Sequence, residues 1–75
     1  MPHIADQPTL LLIHGAWQGA WVWEAFQAEM ARRGWPSHAV DLPGNGHDDT
    51  PAKDVNLARY VAHVTDWIDA HDGPV

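Results

Sequence analysis

The fold is decided by one stretch of the sequence, Leu10-Leu11-Leu12-Ile13-His14-Gly15-Ala16-Trp17. Four large aliphatic residues are too few for a globular helix or a membrane span, but they suit a strand buried on both faces of a parallel sheet. The His-Gly pair ends this run, and glycine lets the backbone turn sharply and present its N–H groups. Because α/β proteins build their sites at the carboxyl ends of parallel strands, this turn is the first candidate site.

A second strand is predicted from Ser37 to Val40, and it runs into a turn rich in proline and glycine, Asp41-Leu42-Pro43-Gly44-Asn45-Gly46-His47. Between the two strands, apolar residues at helical spacing predict a helix from about Trp21 to Arg33. Gly34 is expected to cap this helix in the left-handed conformation, and Pro36 prevents its continuation. The order strand, helix, strand predicts one right-handed βαβ crossover.

The remainder of the chain predicts one long loop and one further helix. The loop, residues 42–55, is long for an unstructured connection, and such loops are often functional. Asn56 is a suitable N-cap for the helix, which is expected within residues 56–72. Its apolar stripe consists of Leu57, Tyr60, Val61, Val64 and Ile68. Residues 74–75 are expected to begin a third strand.

The composition is typical of a globular protein and excludes several classes of function. Hydrophobic residues make up 45% of the chain, and the absence of cysteine excludes disulfides and thiolate metal sites. Ten acidic residues against four basic ones give a net charge of −6, which argues against nucleic acid or membrane surfaces as partners. No signal peptide is visible, which favours a cytoplasmic location. The 75 residues form at most one small domain of marginal stability.

Taken together, the two strand-ending motifs resemble the N-terminal part of an α/β-hydrolase. Within that superfamily, the segment from Leu12 to Trp23 is similar to the branch of small esterases and hydroxynitrile lyases. The resemblance extends from Thr9 to Val75 and implies an α/β fold, the βαβα portion of the hydrolase's parallel sheet. In that arrangement the first strand is central and the two helices lie on opposite faces.

The resemblance also divides the chain into segments of a partial domain. These are a lead-in (1–8), a βαβ unit with the oxyanion turn (9–41), a loop (42–55), a helix (56–72) and the start of the next strand (74–75). The first strand would then have one unpaired edge. We expect that edge to pair with the remainder of the hydrolase domain or with a second chain.

The resemblance implies acyl transfer by a serine, with backbone N–H groups stabilising the oxyanion. One of these N–H groups follows the nucleophile, and the other is assigned to Ala16. Gly15 and Trp17 are expected to border the substrate. Hydroxynitrile lyases of this branch carry threonine where Gly15 stands, so the glycine favours ester hydrolysis. The alternative for Trp17 is that it packs beneath the loop together with Trp21 and Trp23.

His14 and Asp41 are expected to be structural rather than catalytic. The resemblance implies that His14 bonds loop backbone near the oxyanion turn, and Asp41 is expected to hold the Pro-Gly turn through an Asx-type bond. Most relatives have histidine at the position of Asn45, whereas this chain has its histidine two places later, at His47.

The residues that would complete a catalytic triad are missing from this sequence. It has no G-x-S-x-G motif, and its only serine, Ser37, precedes the second strand. We therefore expect the nucleophile, the catalytic histidine and the acid beyond Val75, and we expect the 75 residues alone to be inactive. No cofactor is implied. No metal site is expected either, because the best cluster, His47-Asp48-Asp49, lacks a metal-binding spacing, and His63 and Asp66 lie on the predicted solvated face of the second helix.

Three functions remain open at this point. The first is the N-terminal segment of a serine-dependent carboxylic-ester hydrolase that acts on a small-molecule ester. The second is a non-catalytic interaction module that pairs through the exposed sheet edge, which size exclusion and amide exchange in Leu10–Ile13 would distinguish from the first. The third is hydroxynitrile lyase or other chemistry on the same fold, which Gly15 disfavours.

Overall fold

The computed structural model describes residues 7–75, and its elements follow the predicted order. They are β1 (Leu10–Ile13), α1 (Glu24–Arg32), β2 (Ser37–Val40) and α2 (Leu57–Ala70). The two strands pair in parallel, with Leu10 opposite Ser37 and Ile13 opposite Val40. The parallel βαβ arrangement predicted from the sequence is confirmed. Residues 1–6 of the predicted lead-in lie outside the described residues.

The two helices lie on opposite faces of this sheet, as expected. On one face, the ring of His38 stacks on Trp67 of α2 with the ring centroids 4.9 Å apart. The next residue of β2, Ala39, lines a cavity with Glu24 and Gln27 of α1. Because successive strand residues point to opposite faces, these two contacts place α1 and α2 on different sides.

The first helix begins later than predicted. Residues Ala20–Trp23 form a 3-10 turn, and the α-helix starts at Glu24 rather than at Trp21. Gly19 precedes the turn with extended backbone and has no side chain to cap the first N–H groups, so the N–H of Val22 donates to the Gly19 carbonyl (3.2 Å). The C-terminal end is as predicted, because Gly34 has a φ of 85°.

The second helix begins with the predicted cap. The side-chain oxygen of Asn56 accepts a hydrogen bond from the N–H of Arg59 (2.9 Å). The α-helix itself ends at Ala70, slightly before the predicted limit, and His71 follows with extended backbone. The preceding loop contains one short 3-10 turn, Ala52–Asp54, and is otherwise irregular. Neither α-helix in residues 7–75 is long and apolar enough to cross a bilayer.

The best-buried side chains gather at the carboxyl ends of the strands rather than along β1. Val40 and Leu42 form the apolar core, and His14 is buried beside them. The prediction that β1 is buried on both faces is wrong for these residues, because Leu10, Leu11 and Leu12 are half-buried and Ile13 is 45% exposed. A single neighbouring strand and two helices do not cover both faces of so short a strand. The carboxyl end is enclosed instead by the loops that follow each strand.

The chain also contacts β1 on the side away from β2. The N–H of Leu10 donates towards β2, to the Pro36 carbonyl (2.9 Å), whereas the N–H of Thr9 donates to the Pro74 carbonyl (3.0 Å). Because successive N–H groups of a strand point to opposite sides, Pro74 lies along the other edge of β1. Residues 74–75 form no strand of their own, and the third strand stays a prediction.

Candidate active site

The turn after β1 is held in place by the buried ring of His14. The N–H of Leu42 donates to Nε2 (3.0 Å), so this nitrogen carries no proton. Nδ1 therefore carries the proton and donates to the Gly15 carbonyl (2.8 Å). Both ring nitrogens are thus occupied in joining the loop after β2 to the turn after β1. This is the structural role expected for His14, and it leaves neither nitrogen available to transfer a proton.

Asp41 joins the same two loops from the end of β2. Its Oδ1 accepts from the N–H of Ala20 (2.7 Å), and its Oδ2 accepts from the N–H of His47 (3.1 Å). These two backbone donors, that of Ala20 first, hold the pKa of the carboxyl below its ordinary value. The expected local Asx-type bond is not what forms, because the partners lie 21 and 6 residues away in the sequence.

Asp48 stabilises the loop after β2 from within. Its Oδ1 accepts from the N–H groups of Gly44 and Thr50, both at 2.9 Å. The hydrogen bond from the Thr50 side chain, followed by those from the Gly44 and Thr50 backbone, lowers the pKa of Asp48 from 3.8 to about 2. The segment His47-Asp48-Asp49, considered above for metal binding, thus uses two of its members to order the loop.

A cleft of about 450 Å³ opens between the two loops and α2, within the size range of small-molecule sites. Its wall consists of Ala16, Trp17, Pro43, Gly44, Asn45, Thr50, Ala52, Val55 and Tyr60. A second cavity of about 260 Å³ shares three of these residues and adds the buried His14 and Leu42 and the exposed Gly15; it is lined by His14, Gly15, Ala16, Leu42, Asn45 and Tyr60. The three sequence-predicted site residues thus line two neighbouring cavities, with Ala16 in the wall of both.

The residues of the turn after β1 differ in their backbone hydrogen bonds and φ angles. The N–H of Gly15 donates to Oε1 of Gln18 (3.0 Å), whereas the N–H of Ala16 meets no acceptor within residues 7–75. Trp17 follows with a φ of 63°, a left-handed conformation that is unfavourable for a bulky residue. Local strain of this kind is common at functional sites. The N–H of Trp17 also meets no acceptor within residues 7–75, so the turn presents two adjacent unpaired amides at the cleft, the second of them on the strained residue.

The tryptophans do not pack as one group beneath the loop. Trp17 is 93% exposed and Trp21 is 62% exposed, so the packing interpretation is wrong for both. Only Trp23 packs, edge to face against Phe26, with the ring centroids 5.6 Å apart. Trp17 instead lines the cleft with its side chain largely exposed.

Sequence reasoning missed one polar pair in the cleft. The side-chain Nδ2 of Asn45 donates to the Pro43 carbonyl (3.0 Å) and to the hydroxyl of Tyr60 (3.3 Å). Tyr60 was predicted only as a member of the apolar stripe of α2. The available signal was chemical: a tyrosine in the first turns of a helix that follows a site loop needs a partner for its hydroxyl.

The histidine and acidic side chains outside the cleft do not form a cluster within the described residues. No group of three such side chains that could hold a metal ion occurs within the described part of the chain. His63, predicted on the solvated face of α2, is half-buried, whereas Asp66 is exposed as predicted. Ser37 pairs with Leu10 at the amino end of the sheet. Three strand residues separate it from the cleft end, a distance of about 10 Å.

Comparison with known proteins agrees with this architecture. Residues 10–75 match the alpha/beta hydrolase family. The chain is 34% identical over 65 residues to the uncharacterized protein Mb2734 of Mycobacterium bovis and to the uncharacterized protein Rv2715 of Mycobacterium tuberculosis. Each alignment covers 87% of this chain but 19% of the relative, so the chain spans about a fifth of the length of these proteins. No solved structure matches it significantly. With a family match over nearly its whole length and the family's parallel βαβα arrangement, the chain belongs to the alpha/beta hydrolase family.

Proposed function

We propose that the protein to which this segment belongs hydrolyses carboxylic esters through a serine nucleophile, and that the N–H of Ala16 is one of its two oxyanion donors. Acyl transfer needs a donor fixed in space where negative charge develops on the carbonyl oxygen. A backbone N–H at the carboxyl end of a strand meets this requirement without any side chain.

The observation that carries the proposal is the unpaired N–H of Ala16 on the wall of the cleft. Gly15 next to it is less suitable, because its N–H is already bonded to Gln18. The network that positions the turn consists of His14 and Asp41, which hold it from two sides. Such a preorganised donor costs little reorganisation when charge develops.

The neighbours of Ala16 favour hydrolysis over the alternative chemistry. Gly15 offers no hydroxyl to a cyanohydrin oxygen, so a lyase of the related branch would lack that contact. Trp17, exposed at the rim, is suited to cover the acyl or alcohol group of a small-molecule ester. We place no cofactor in this reaction, because serine-dependent acyl transfer uses only protein groups.

The nucleophile, the catalytic histidine and the acid are proposed to lie beyond Val75. Within the chain, Ser37 lies at the amino end of the sheet and cannot reach the cleft. We propose that the nucleophile elbow lies at the end of the next strand, within roughly ten residues of Val75, and the family resemblance supports this position. The contact between Thr9 and Pro74 supports a strand along that edge of β1, formed by the remainder of the domain rather than by a separate partner.

The test uses the full-length protein with nitrophenyl esters as substrates. We expect hydrolysis that a serine-directed phosphonate abolishes, and no turnover above a matched blank from the 75-residue chain alone. Phosphonate-sensitive turnover by the purified short chain would contradict the proposed division of the site. An absence of ester hydrolysis in the full-length protein would contradict the proposed reaction.

The role of Ala16 is tested by replacing its amide with an ester through incorporation of the corresponding α-hydroxy acid. This removes one N–H and keeps the side chain. We expect kcat to fall by about a hundredfold, as for loss of one oxyanion donor. The matched control is the same replacement at Trp17, which should change kcat much less. Equal effects at both positions would contradict the assignment to Ala16.

A further inference from the structure

The orientation of the Asn45 side chain is fixed by its bond to Pro43. A carbonyl oxygen only accepts hydrogen bonds, so the group that faces it must be the NH2 group of Asn45. The same NH2 group lies 3.3 Å from the oxygen of Tyr60. The phenol is therefore the acceptor in this pair.

A phenol that accepts a hydrogen bond still has its own proton to donate. No acceptor for the Tyr60 proton occurs within residues 7–75. Accepting from Asn45 polarises the O–H bond and strengthens it as a donor. Because Tyr60 is half-buried and lines the cleft, its free proton is available to a molecule that enters the cleft.

Both cavities of the candidate site contain Tyr60 and Ala16 in their walls. We infer that the Tyr60 hydroxyl determines substrate choice: it donates a hydrogen bond to an ether, hydroxyl or keto oxygen that the ester carries close to its scissile carbonyl. The inference rests on the proposed ester hydrolysis and adds a substrate class to it. A plain alkyl ester would leave the phenol unpaired, and a site with an unpaired polar group discriminates against such a substrate.

The inference is tested with two nitrophenyl esters of nearly the same shape, the methoxyacetate and the butyrate, in which one ether oxygen replaces one methylene. The measurement is kcat/KM of the full-length protein for both esters, before and after Tyr60→Phe. Normalising to the unaltered protein removes the intrinsic difference in reactivity between the esters. We expect the methoxyacetate/butyrate ratio to fall about tenfold, the effect of one hydrogen bond.

A merely structural role for Tyr60 gives a different result. If the hydroxyl only ties α2 to Asn45, Tyr60→Phe lowers both esters equally or neither, and the inference is overturned. Val61→Ala is the matched control, because it alters the next residue of α2, which lines neither cavity, and it should leave the ratio unchanged.

A failure of the proposed reaction is distinguishable from a failure of this inference. If the full-length protein hydrolyses neither ester, binding of 1-methoxy-2-propanone and 2-pentanone, measured by NMR titration, replaces the kinetic readout. Tighter binding of the methoxy ketone that Tyr60→Phe abolishes supports the role of Tyr60. Equal binding of both ketones overturns it.

Discussion

His14 controls the geometry of the site without entering the chemistry. His14 is only 5% exposed, and both nitrogens of its ring bond backbone groups of neighbouring loops. A histidine beside a proposed oxyanion donor resembles a catalytic base in sequence. Its hydrogen bonds show instead that it fixes the distance between Gly15 and Leu42.

Replacing His14 should therefore destabilise the protein. His14→Ala leaves the buried N–H of Leu42 and the part-buried carbonyl of Gly15 without partners, at a cost of about 3 kcal/mol in the free energy of unfolding. The measurement is urea unfolding of the full-length protein. His47→Ala, at an exposed side chain, is the control and should cost no more than about 0.5 kcal/mol. Similar costs for the two variants would contradict the structural role of His14.

Gly46 is needed for two reasons that add. Its φ of 57° is left-handed, and a Cβ at this position would collide with the carboxylate of Asp41. We expect Gly46→Ala to lower the free energy of unfolding by at least about 2 kcal/mol. Gly73 also has a positive φ, 112°, but a Cβ there meets nothing within 4 Å. If Gly73→Ala lowers the free energy of unfolding as much as Gly46→Ala does, the collision with Asp41 is not the cause of the destabilisation.

At the scale of elements, the loop after β2 depends on ionised carboxylates. The folded pKa of Asp48, about 2, lies below its ordinary value of 3.8. The stabilisation from this group is therefore complete above about pH 4 and is lost as the pH falls towards 2. Asp41, whose pKa is also lowered, acts in the same direction.

We expect the free energy of unfolding to decrease between pH 4 and pH 2, and Asp48→Asn to remove part of that decrease. The measurement is urea unfolding of the full-length protein over this range, for the unaltered protein and the variant. Asp49→Asn is the control, because the Asp49 side chain is exposed and bonds nothing within residues 7–75. An unaltered pH profile in Asp48→Asn would show that this carboxylate does not stabilise the loop.

The cap of α2 gives a second test at this scale. Asn56→Ala removes the acceptor for the N–H of Arg59 and should cost about 1 kcal/mol in the free energy of unfolding, whereas Asn56→Asp keeps an acceptor and should cost little. Thermal unfolding of the full-length protein measures both variants. Loss of stability in Asn56→Asp equal to that in Asn56→Ala would contradict the capping role.

The sequence predicts a helix or strand boundary well where adjacent residues determine it, and poorly where residues far apart in the sequence do. The strand Ser37–Val40, the cap at Asn56 and the left-handed Gly34 follow from adjacent residues, and they agree with the structure. The start of α1 does not, because Gly19 must approach Asp41 closely and its extended backbone delays the helix. That approach joins residues far apart in the sequence.

At the scale of the whole molecule, the candidate site likewise depends on contacts between distant residues that the sequence does not predict. The turn that carries Ala16 was visible as a strand followed by His-Gly. The partners of Asp41 and the Asn45–Tyr60 pair were not, because they join loops and a helix over 6 to 21 residues. Periodicity places Tyr60 on the apolar stripe but contains no information about its hydroxyl.

At the scale of the whole molecule, part of the apolar surface remains uncovered. The chain spans 19% of the length of the mycobacterial relatives that it matches, and its α2 leaves Leu57 and Val61 exposed beside the half-buried β1. We propose that further parts of a hydrolase sheet pack on these apolar surfaces and along the edge of β1 beside Pro74. We propose that the nucleophile and its strand close one side of the cleft.

The central claim is that the Ala16 amide binds the oxyanion, and NMR of the full-length protein labelled with ¹⁵N-alanine tests it most directly. A trifluoromethyl ketone that adds to the catalytic serine creates a stable analogue of the tetrahedral intermediate. We predict that the Ala16 amide proton moves downfield on saturation, because it then donates to a negatively charged oxygen. An Ala16 resonance that stays in place while the inhibitor is bound stoichiometrically would contradict the account.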